Sequence, residues 1–585
     1  YDTGRTGMMK GATVLGLAFV LVLVGVTGSS ASNPVAVTVK CTGLAVEACV
    51  VDGDVEGAHA SATASYRVNM TSGFNDLQVT TDQKGEWENG FVHKVKSYAA
   101  GIAEAIVTCD DMTAFKYNVL TSSFGYIDAD INAELKNFIL TQDEWVRSRS
   151  AQYMNGSAGQ GSEADYWSAT GQVLATFDGL LDGYNTFSSC GVETPMSKLD
   201  FLLVNLDGDL FDLQSAFPDS AENTANATAV GAVGRVGRAR AMASRTPGQV
   251  DELALRCSAL VKLARDNMEL FFGHDTWDTY ATAAPRIFKS VTTSVERNSS
   301  VHTHTDSFSS SPGFVASIDD FYMLKTTNDQ VEDTHLVVIE TSNGVYNDAA
   351  YDALDPETSP CWIRVMVANM LGTSGSEWSD MFSAYHSGTY NNQWLVIDLN
   401  KFEAGIEPTS DVLWVTEEAP GLMHAQDQTA TLVSEGYWAS YNVAFYPDIR
   451  AVLGEQTPYD TATRAKLFRE MQGNVTSIET MQWMMGWNDY ENDPISKGNP
   501  GNAIMARNDL KGFAEGGIDS KCSSASAYFG SDDGSIAPLT TYARAGPTHD
   551  NEPAFCWDDE PQFLLTPHRG HPSCFSYEWE PVSPA

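Results

Sequence analysis

The sequence predicts an α+β chain in which a helical N-terminal part precedes an antiparallel core of strands with interspersed helices. Three observations carry this. Before residue 217 apolar residues recur at helical spacing; after residue 256 they gather into short runs such as HLVVIETS and QWLVIDL. Between the two lies AENTANATAVGAVGRVGRARAMASRTPGQVDE, small, polar and dotted with arginine, with no periodic apolar face. The division that follows is an N-terminal extension and leader over 1–31, an N-terminal chain forming the helical part over 32–216, an exposed cleavable linker over 217–256, and a C-terminal chain over 257–585 that carries the antiparallel sheets.

In chain order, Met8, Met9 and Lys10 precede an apolar run over 12–26 and then Gly28-Ser29-Ser30-Ala31-Ser32, the layout of a secretory leader with small residues at its cleavage point. The run is short for a membrane span, so no stable transmembrane segment is expected. Residues 1–7 precede the first methionine. GFVHKVKSYAAGIAEAIVT, between 87 and 120, reads as a helix, and helical periods continue over 138–214, ending in LDFLLVNLDGDLFDL. Strands are expected at CSALVKL, MELFFG, FVASIDDFYML, HLVVIETS, QWLVIDL and VLWVTEE, with helices at CWIRVMVANML and ATRAKLFREM.

Composition narrows the function. Of 585 residues 43% are hydrophobic and 19% charged, which permits a sizeable core. A formal net charge of −41 argues against holding nucleic acid or anionic lipid through a general positive field. Five Asn-x-Ser/Thr sequons, at Asn69, Asn155, Asn226, Asn298 and Asn474, fit a secretory route. Nine cysteines leave at least one thiol outside intramolecular disulfides; if that one is Cys257, eight remain for up to four bridges of unreadable connectivity.

Familiar catalytic motifs are missing from the text: there is no G-x-S-x-G elbow, Walker loop or H-E-x-x-H. His302 and His304, with Asp306 nearby, have a spacing that could ligate zinc but lack a companion motif, and a polar loop is the better reading. Asp128, Asp130 and Asn132 open like a calcium loop, yet Ala133 stands where the turn needs glycine and Ile139 where a bidentate glutamate belongs. Neither metal nor cofactor is expected. Cys257 remains. It follows the linker directly and begins a probable strand. A cut before it would give the residue its own α-amine, a base with an ordinary pKa of about 7.7–8.0, so that no histidine partner is required. Taken alone, a lone cysteine in an apolar run reads better as a small core hydrophobe.

Longer blocks reverse that balance. CSALVKL with GHDTW at its fixed distance, SSPGFVASIDDFY, HSGTYNNQW, YWASYN, RAKLF, NPGNAIMARNDL and GGID occur in one order across roughly residues 70 to 575. In these the chain resembles the phospholipase B-like family of secreted and lysosomal glycoproteins, which belong to the N-terminal-nucleophile hydrolases. The resemblance implies a four-layer αββα sandwich with two antiparallel sheets between helices. It places the nucleophile on Cys257, a pocket histidine and tryptophan on His274 and Trp277, an oxyanion donor on Asn442 and an active-site arginine on Arg464. Ser342, in IETS, stands where the family pattern has threonine and keeps the hydroxyl. The linker matches nothing in that pattern.

The resemblance further implies that the Cys257 thiol cleaves the chain before itself, that the two resulting chains stay associated, and that the mature enzyme, secreted or lysosomal, hydrolyses acyl groups through a thioester. The family's name points to phospholipid or related lipid substrates. The nucleophile class points equally to N-acyl or peptide-like amides, and a catalytically weak glycoprotein that binds lipid or a partner is the reading from a different class.

Overall fold

The structure, a computed structural model, describes residues 34–41, 49–52, 60–83, 91–124, 131–154, 161–218, 257–318, 320–328 and 332–584. The leader, linker positions 219–256, Asp128, Asp130, Asn155 and Asn226 lie outside them.

Before the linker run four strands, β1 (Val35–Cys41), β2 (Cys49–Asp52), β3 (Ala60–Arg67) and β4 (Phe74–Gln83). After it come β5 (Cys257–Leu263), β6 (Leu270–Thr279), β7 (Arg286–Arg297), β8 (Ser300–Ser310), β9 (Phe321–Thr327), β10 (Thr334–Ser342), β11 (Asn392–Asp398), β12 (Leu413–Ala419), β13 (Leu422–Asp427) and β14 (Tyr437–Ser440). Nearer the C-terminus are β15 (Glu515–Ser524), β16 (Thr541–Ala545), β17 (Phe555–Cys556), β18 (Cys574–Phe575) and β19 (Glu580–Val582). An 11-stranded sheet has the order β13-β12-β11-β10-β9-β8-β7-β4-β3-β1-β2, and a 6-stranded sheet the order β14-β5-β6-β15-β16-β19. Pairing within both is antiparallel except at β4 and β7, which run parallel with Phe74 opposite Arg286 and Thr80 opposite Thr292. The fold is α+β.

Side-chain alternation shows how the sheets are used. From β5, Ala259, Val261 and Leu263 join Phe272 of β6 in a core shared with Met323, Val337, Ile339 and Leu395 of the large sheet. Leu260 and Phe271 point the other way, against Leu467, Phe468, Met481 and Met485 of helices Thr463–Met471 and Ile478–Met485. Both faces of β5 are therefore covered, which is why CSALVKL is apolar almost throughout rather than alternating. The far face of the large sheet, including Phe308, Tyr322 and Val338, packs on helices Phe91–Phe124, Ser162–Asp182 and Cys361–Leu371.

Several sequence expectations need correction. Among the described residues helices dominate 91–216, but those of 35–83 include four strands, β1 to β4. β3 does alternate, with Ala60, Ala62, Ala64 and Tyr66 buried, but alanine contrasts too weakly with its polar neighbours for the period to stand out. In FVASIDDFYML the strand begins only at Phe321. His302 and His304 lie within β8, not in a loop, and His304 is already engaged, by Thr326 Oγ1 at 2.8 Å and Asp306 at 3.1 Å. Ala133 begins a helix. Of the cysteines, Cys109–Cys190 and Cys556–Cys574 are disulfides, whereas Cys257, Cys361 and Cys522 are buried and outside any disulfide, so the eight others do not form four bridges. Among the described residues no helix is long and apolar enough to cross a membrane.

Candidate active site

β5 opens on Cys257, only 1% exposed, and pairs with β6 so that Cys257 faces Thr276 and Ala259 faces His274. Cross-strand partners share a face. Because Ala259 belongs to the core between the sheets, His274 points there too, and Cys257, two residues from Ala259, follows it. The Cys257 thiol, a His274 ring nitrogen and a carboxylate oxygen of Glu340, near the end of β10, all lie within 4.8 Å of one another. Gly273 explains why glycine precedes the histidine in GHDTW: a Cβ there would lie 2.7 Å from Met481 Cε and 3.0 Å from Met485 Cγ, so only glycine lets that helix close on β6.

On the opposite face of the small sheet Arg464 gathers the backbone. Its Nη1 donates to the Cys257 carbonyl and, at 3.0 Å, to Ser258 Oγ; its Nη2 donates to the Tyr441 carbonyl at 2.8 Å and Asn442 Oδ1 at 2.6 Å. The guanidinium carbon sits 4.5 Å from the centre of the Trp277 ring, a cation–π contact in a site closed to water. Trp277 thus supports Arg464 rather than the thiol.

Asn442 follows β14 with φ 66°, the left-handed region that asparagine tolerates better than most residues. This turn aims its amide at both sheets. Oδ1 accepts from the Cys257 backbone nitrogen at 3.2 Å, and Nδ2 donates to the Ser342 carbonyl at 2.6 Å. Ser342 therefore meets Asn442 through its backbone. The hydroxyl that meets Asn442 is that of Thr341, which accepts from the Asn442 backbone nitrogen at 3.4 Å and shares a hydrogen bond with Ser440 Oγ at 2.6 Å.

A buried ionic network lies beside the thiol. Lys521 of β15, in register with His274, contacts Thr276 Oγ1 and, at 2.5 Å, Asp519, which also meets Arg286 at 2.7 Å. Although burial opposes it, Lys521 and Arg286 hold the Asp519 carboxyl below its usual range. Burial first, then the positive charges of Lys521 and Arg286, push the His274 imidazole well below its ordinary value, against a smaller pull from the Glu340 backbone, so the ring is neutral.

Glu417 of β12 fixes the segment after Asn442. Its carboxylate accepts from the backbone nitrogens of Phe445 at 2.6 Å and Tyr446 at 2.8 Å, and from Gln393 at 2.6 Å. Burial outweighs these bonds and raises its pKa from 4.5 to about 7. Since the folded protein favours the protonated form, the stabilisation this confers is complete below the unfolded value and is lost as pH rises through about 7. Glu417→Gln, neutral throughout, is expected to gain stability relative to the wild type by on the order of 3 kcal/mol between pH 4.5 and 8, read from paired thermal melts.

The six residues expected at the site, Cys257, His274, Trp277, Ser342, Asn442 and Arg464, do surround one strand terminus. Glu340, Thr341 and Lys521 were not anticipated. For Glu340 and Lys521 the signal was a carboxylate inside HLVVIETS and an ammonium inside GGIDSKCSS, charges within strands otherwise suited to burial; Thr341 gave none. The family model described as Phospholipase B matches residues 61–582. The chain belongs to the phospholipase B family. Among its relatives, "Phospholipase B-like protein B" of Dictyostelium discoideum is 32% identical over 87% of this chain and 83% of its own length. "Phospholipase B-like 1" of Homo sapiens is 31% identical over 88% and 85%. "Phospholipase-B 81" of Drysdalia coronoides is 31% identical over 84% and 83%. Within this chain Cys109, Cys190, Cys556 and Cys574 are held in disulfides, whereas the sulfur of Cys257, beside His274 and Glu340, is outside any disulfide.

Proposed function

We propose that this chain is an acyl hydrolase that cleaves itself before Cys257 and then uses that residue as an N-terminal nucleophile on phospholipids or related lipids. The observation that carries the reading is the hydrogen bond from the Cys257 nitrogen to Asn442 Oδ1. Conversion of that amide to an amine keeps a hydrogen to donate, so Asn442 would hold the new amine with its lone pair next to the thiol of the same residue. Arg464 fixes the adjoining carbonyl. The amine accepts the thiol proton, sulfur attacks the acyl carbonyl, and Asn442 Nδ2, which has two hydrogens, supports the oxyanion; the ester C–O bond breaks and the departing alcohol takes the proton from the ammonium. Water then adds its hydroxyl to the thioester carbon while the amine takes its other proton and returns it to the thiolate as the acid departs. The packed order of helices, large sheet, small sheet and helices supports the αββα sandwich of N-terminal-nucleophile hydrolases.

Pairing of β4 with β7 supports two chains that remain associated after the cut. A secreted or lysosomal route with glycans at Asn298 and Asn474 suits their exposed side chains; Asn69 is engaged through Nδ2 with Glu580 at 2.9 Å and suits it less. Asn442→Ala is expected to lower acyl hydrolysis about 10²–10³-fold in protein that is still secreted, the cost of losing an oxyanion donor, measured as kcat on one good substrate.

The lipid reading rests on the names of the relatives, and substrate length tests it. Each buried methylene is worth about 0.8 kcal/mol, so a lipid deacylase gains kcat/KM steeply with acyl length until its pocket is full. Matched esters and amides of increasing acyl length, offered at acidic and neutral pH, should show that rise with esters. Turnover indifferent to length would point to peptide-like amides, and turnover no greater than that of Cys257→Ala would point to a binding protein.

A further inference from the structure

In the uncut chain the nitrogen of residue 257 is an amide. The base required for turnover therefore does not exist when the first bond must break. What lies beside the thiol instead is His274 and, within the same 4.8 Å, the Glu340 carboxylate. The imidazole is fully buried, and what draws on its nitrogens is the Glu340 backbone, with no side chain in hydrogen-bonding geometry. A buried ring left in that condition calls for an explanation beyond packing. Glu340 is equally buried, its carboxylate accepting from Tyr390 Oη at 2.9 Å and from the Asp320 backbone nitrogen at 3.4 Å. In the uncut chain all three groups are closed to solvent, so what the thiol meets there is its own chain and not the acyl substrate of the mature form. A reaction that draws every reactant but water from one chain fits the cluster well.

We propose that Glu340 is the acid member of a Cys257–His274–Glu340 relay that ionises the thiol for self-cleavage, before residue 257 has an amine of its own. The inference rests on the self-cleavage proposed above. The thiol proton passes to His274, and Glu340 stabilises the imidazolium. Sulfur bonds to the Arg256 carbonyl carbon as the carbon–nitrogen bond breaks, and the departing nitrogen takes the proton from the imidazolium to become the α-amine. Water then adds its hydroxyl to the thioester carbon, leaving the Arg256 carboxyl group and restoring the thiol. Burial first, and then the neighbouring positive charges of Lys521 and Arg286, keep the imidazole neutral, ready to accept. Catalytic apparatus and maturation apparatus thus share one thiol but use different bases.

The test follows newly made chain in secreting cells by pulse labelling and reads uncut against cut chain on reducing gels. Glu340→Gln is expected to slow cutting at least about tenfold, and Glu340→Asp to restore it to within about threefold of wild type. Uncut Glu340→Gln and His274→Gln proteins, purified and shown to melt cooperatively, are then incubated between pH 5 and 8. Without an imidazole the thiol must ionise unaided, so cutting of His274→Gln should climb about tenfold per pH unit below the thiol pKa, whereas Glu340→Gln, which keeps the ring, should climb less steeply. Wild-type cutting in Glu340→Gln, or equal pH slopes in the two variants, overturns the relay. If Glu340→Gln is not secreted, His274→Gln decides, and a wild-type rate of cutting in it overturns the relay. Cutting of Cys257→Ala at the same bond would instead remove self-cleavage itself.

Discussion

Cys257→Ala is expected to leave one uncut chain and to lower acyl hydrolysis at least about 10³-fold, the largest effect of any single substitution here. Two losses combine in it. Without sulfur there is no group to attack the Arg256 carbonyl, so no α-amine forms; without the amine and the thiol there is neither base nor nucleophile for substrate. The change itself is small in volume, and the site is a strand terminus paired to β6, so secretion and thermal melting should stay close to wild type. Intact-mass analysis and N-terminal sequencing of the secreted protein supply the measurement. A second chain beginning at residue 257 in the alanine variant would show that another protease makes the cut. Cuts elsewhere in 218–256 would not bear on the claim.

Arg464→Ala is expected to have the largest effect on stability. The guanidinium satisfies the Cys257 and Tyr441 carbonyls, Ser258 Oγ and Asn442 Oδ1, and covers the Trp277 ring. Truncation removes these partners at once. Each acceptor left buried without one costs about 1–3 kcal/mol, with partial compensation as the loop relaxes, so a loss of about 3–5 kcal/mol is expected. Arg464→Lys should recover little, because an ammonium cannot reproduce a planar fork that spans two strand ends and stacks on indole. Thermal melting gives the stability change. Turnover should fall by two orders of magnitude or more in whatever protein folds, since Asn442 and the Cys257 backbone lose their common anchor.

The parts of the fold that could be read from the text were those with strong contrast. β5, β10, β11 and β12 each hold at least three adjacent apolar residues because both of their faces are covered, and helix Cys361–Leu371 is largely apolar and buried along its whole length. β3 could not be read so easily, because alanine makes up most of its buried face. At the site, motif resemblance brought six residues together but not their contacts. That Trp277 carries Arg464, that Ser342 acts through its carbonyl, and that Thr341 supplies the hydroxyl all depend on strand register and on one left-handed backbone angle at Asn442. Register between distant strands is a property of the assembled sheets. Glu340 was visible as a misplaced charge, but its meaning needed the third dimension.

The parallel pairing of β4 with β7 gives the proposed cut a lasting consequence. Before it, β1 to β4 and the rest of the large sheet are covalently one, and an unfolded molecule holds in a single chain all the information it needs to refold. Afterwards the same sheet is built from two molecules, and its central seam becomes an intermolecular one without a single hydrogen bond having moved. Refolding then requires two partners to meet, and their encounter depends on concentration, which falls without limit outside the compartment of synthesis. The mature protein should therefore persist for as long as its unfolding barrier lasts, and not return once that barrier is crossed. Its lifetime is a clock set at maturation, wound by the thickness of the sheet rather than by the depth of an equilibrium.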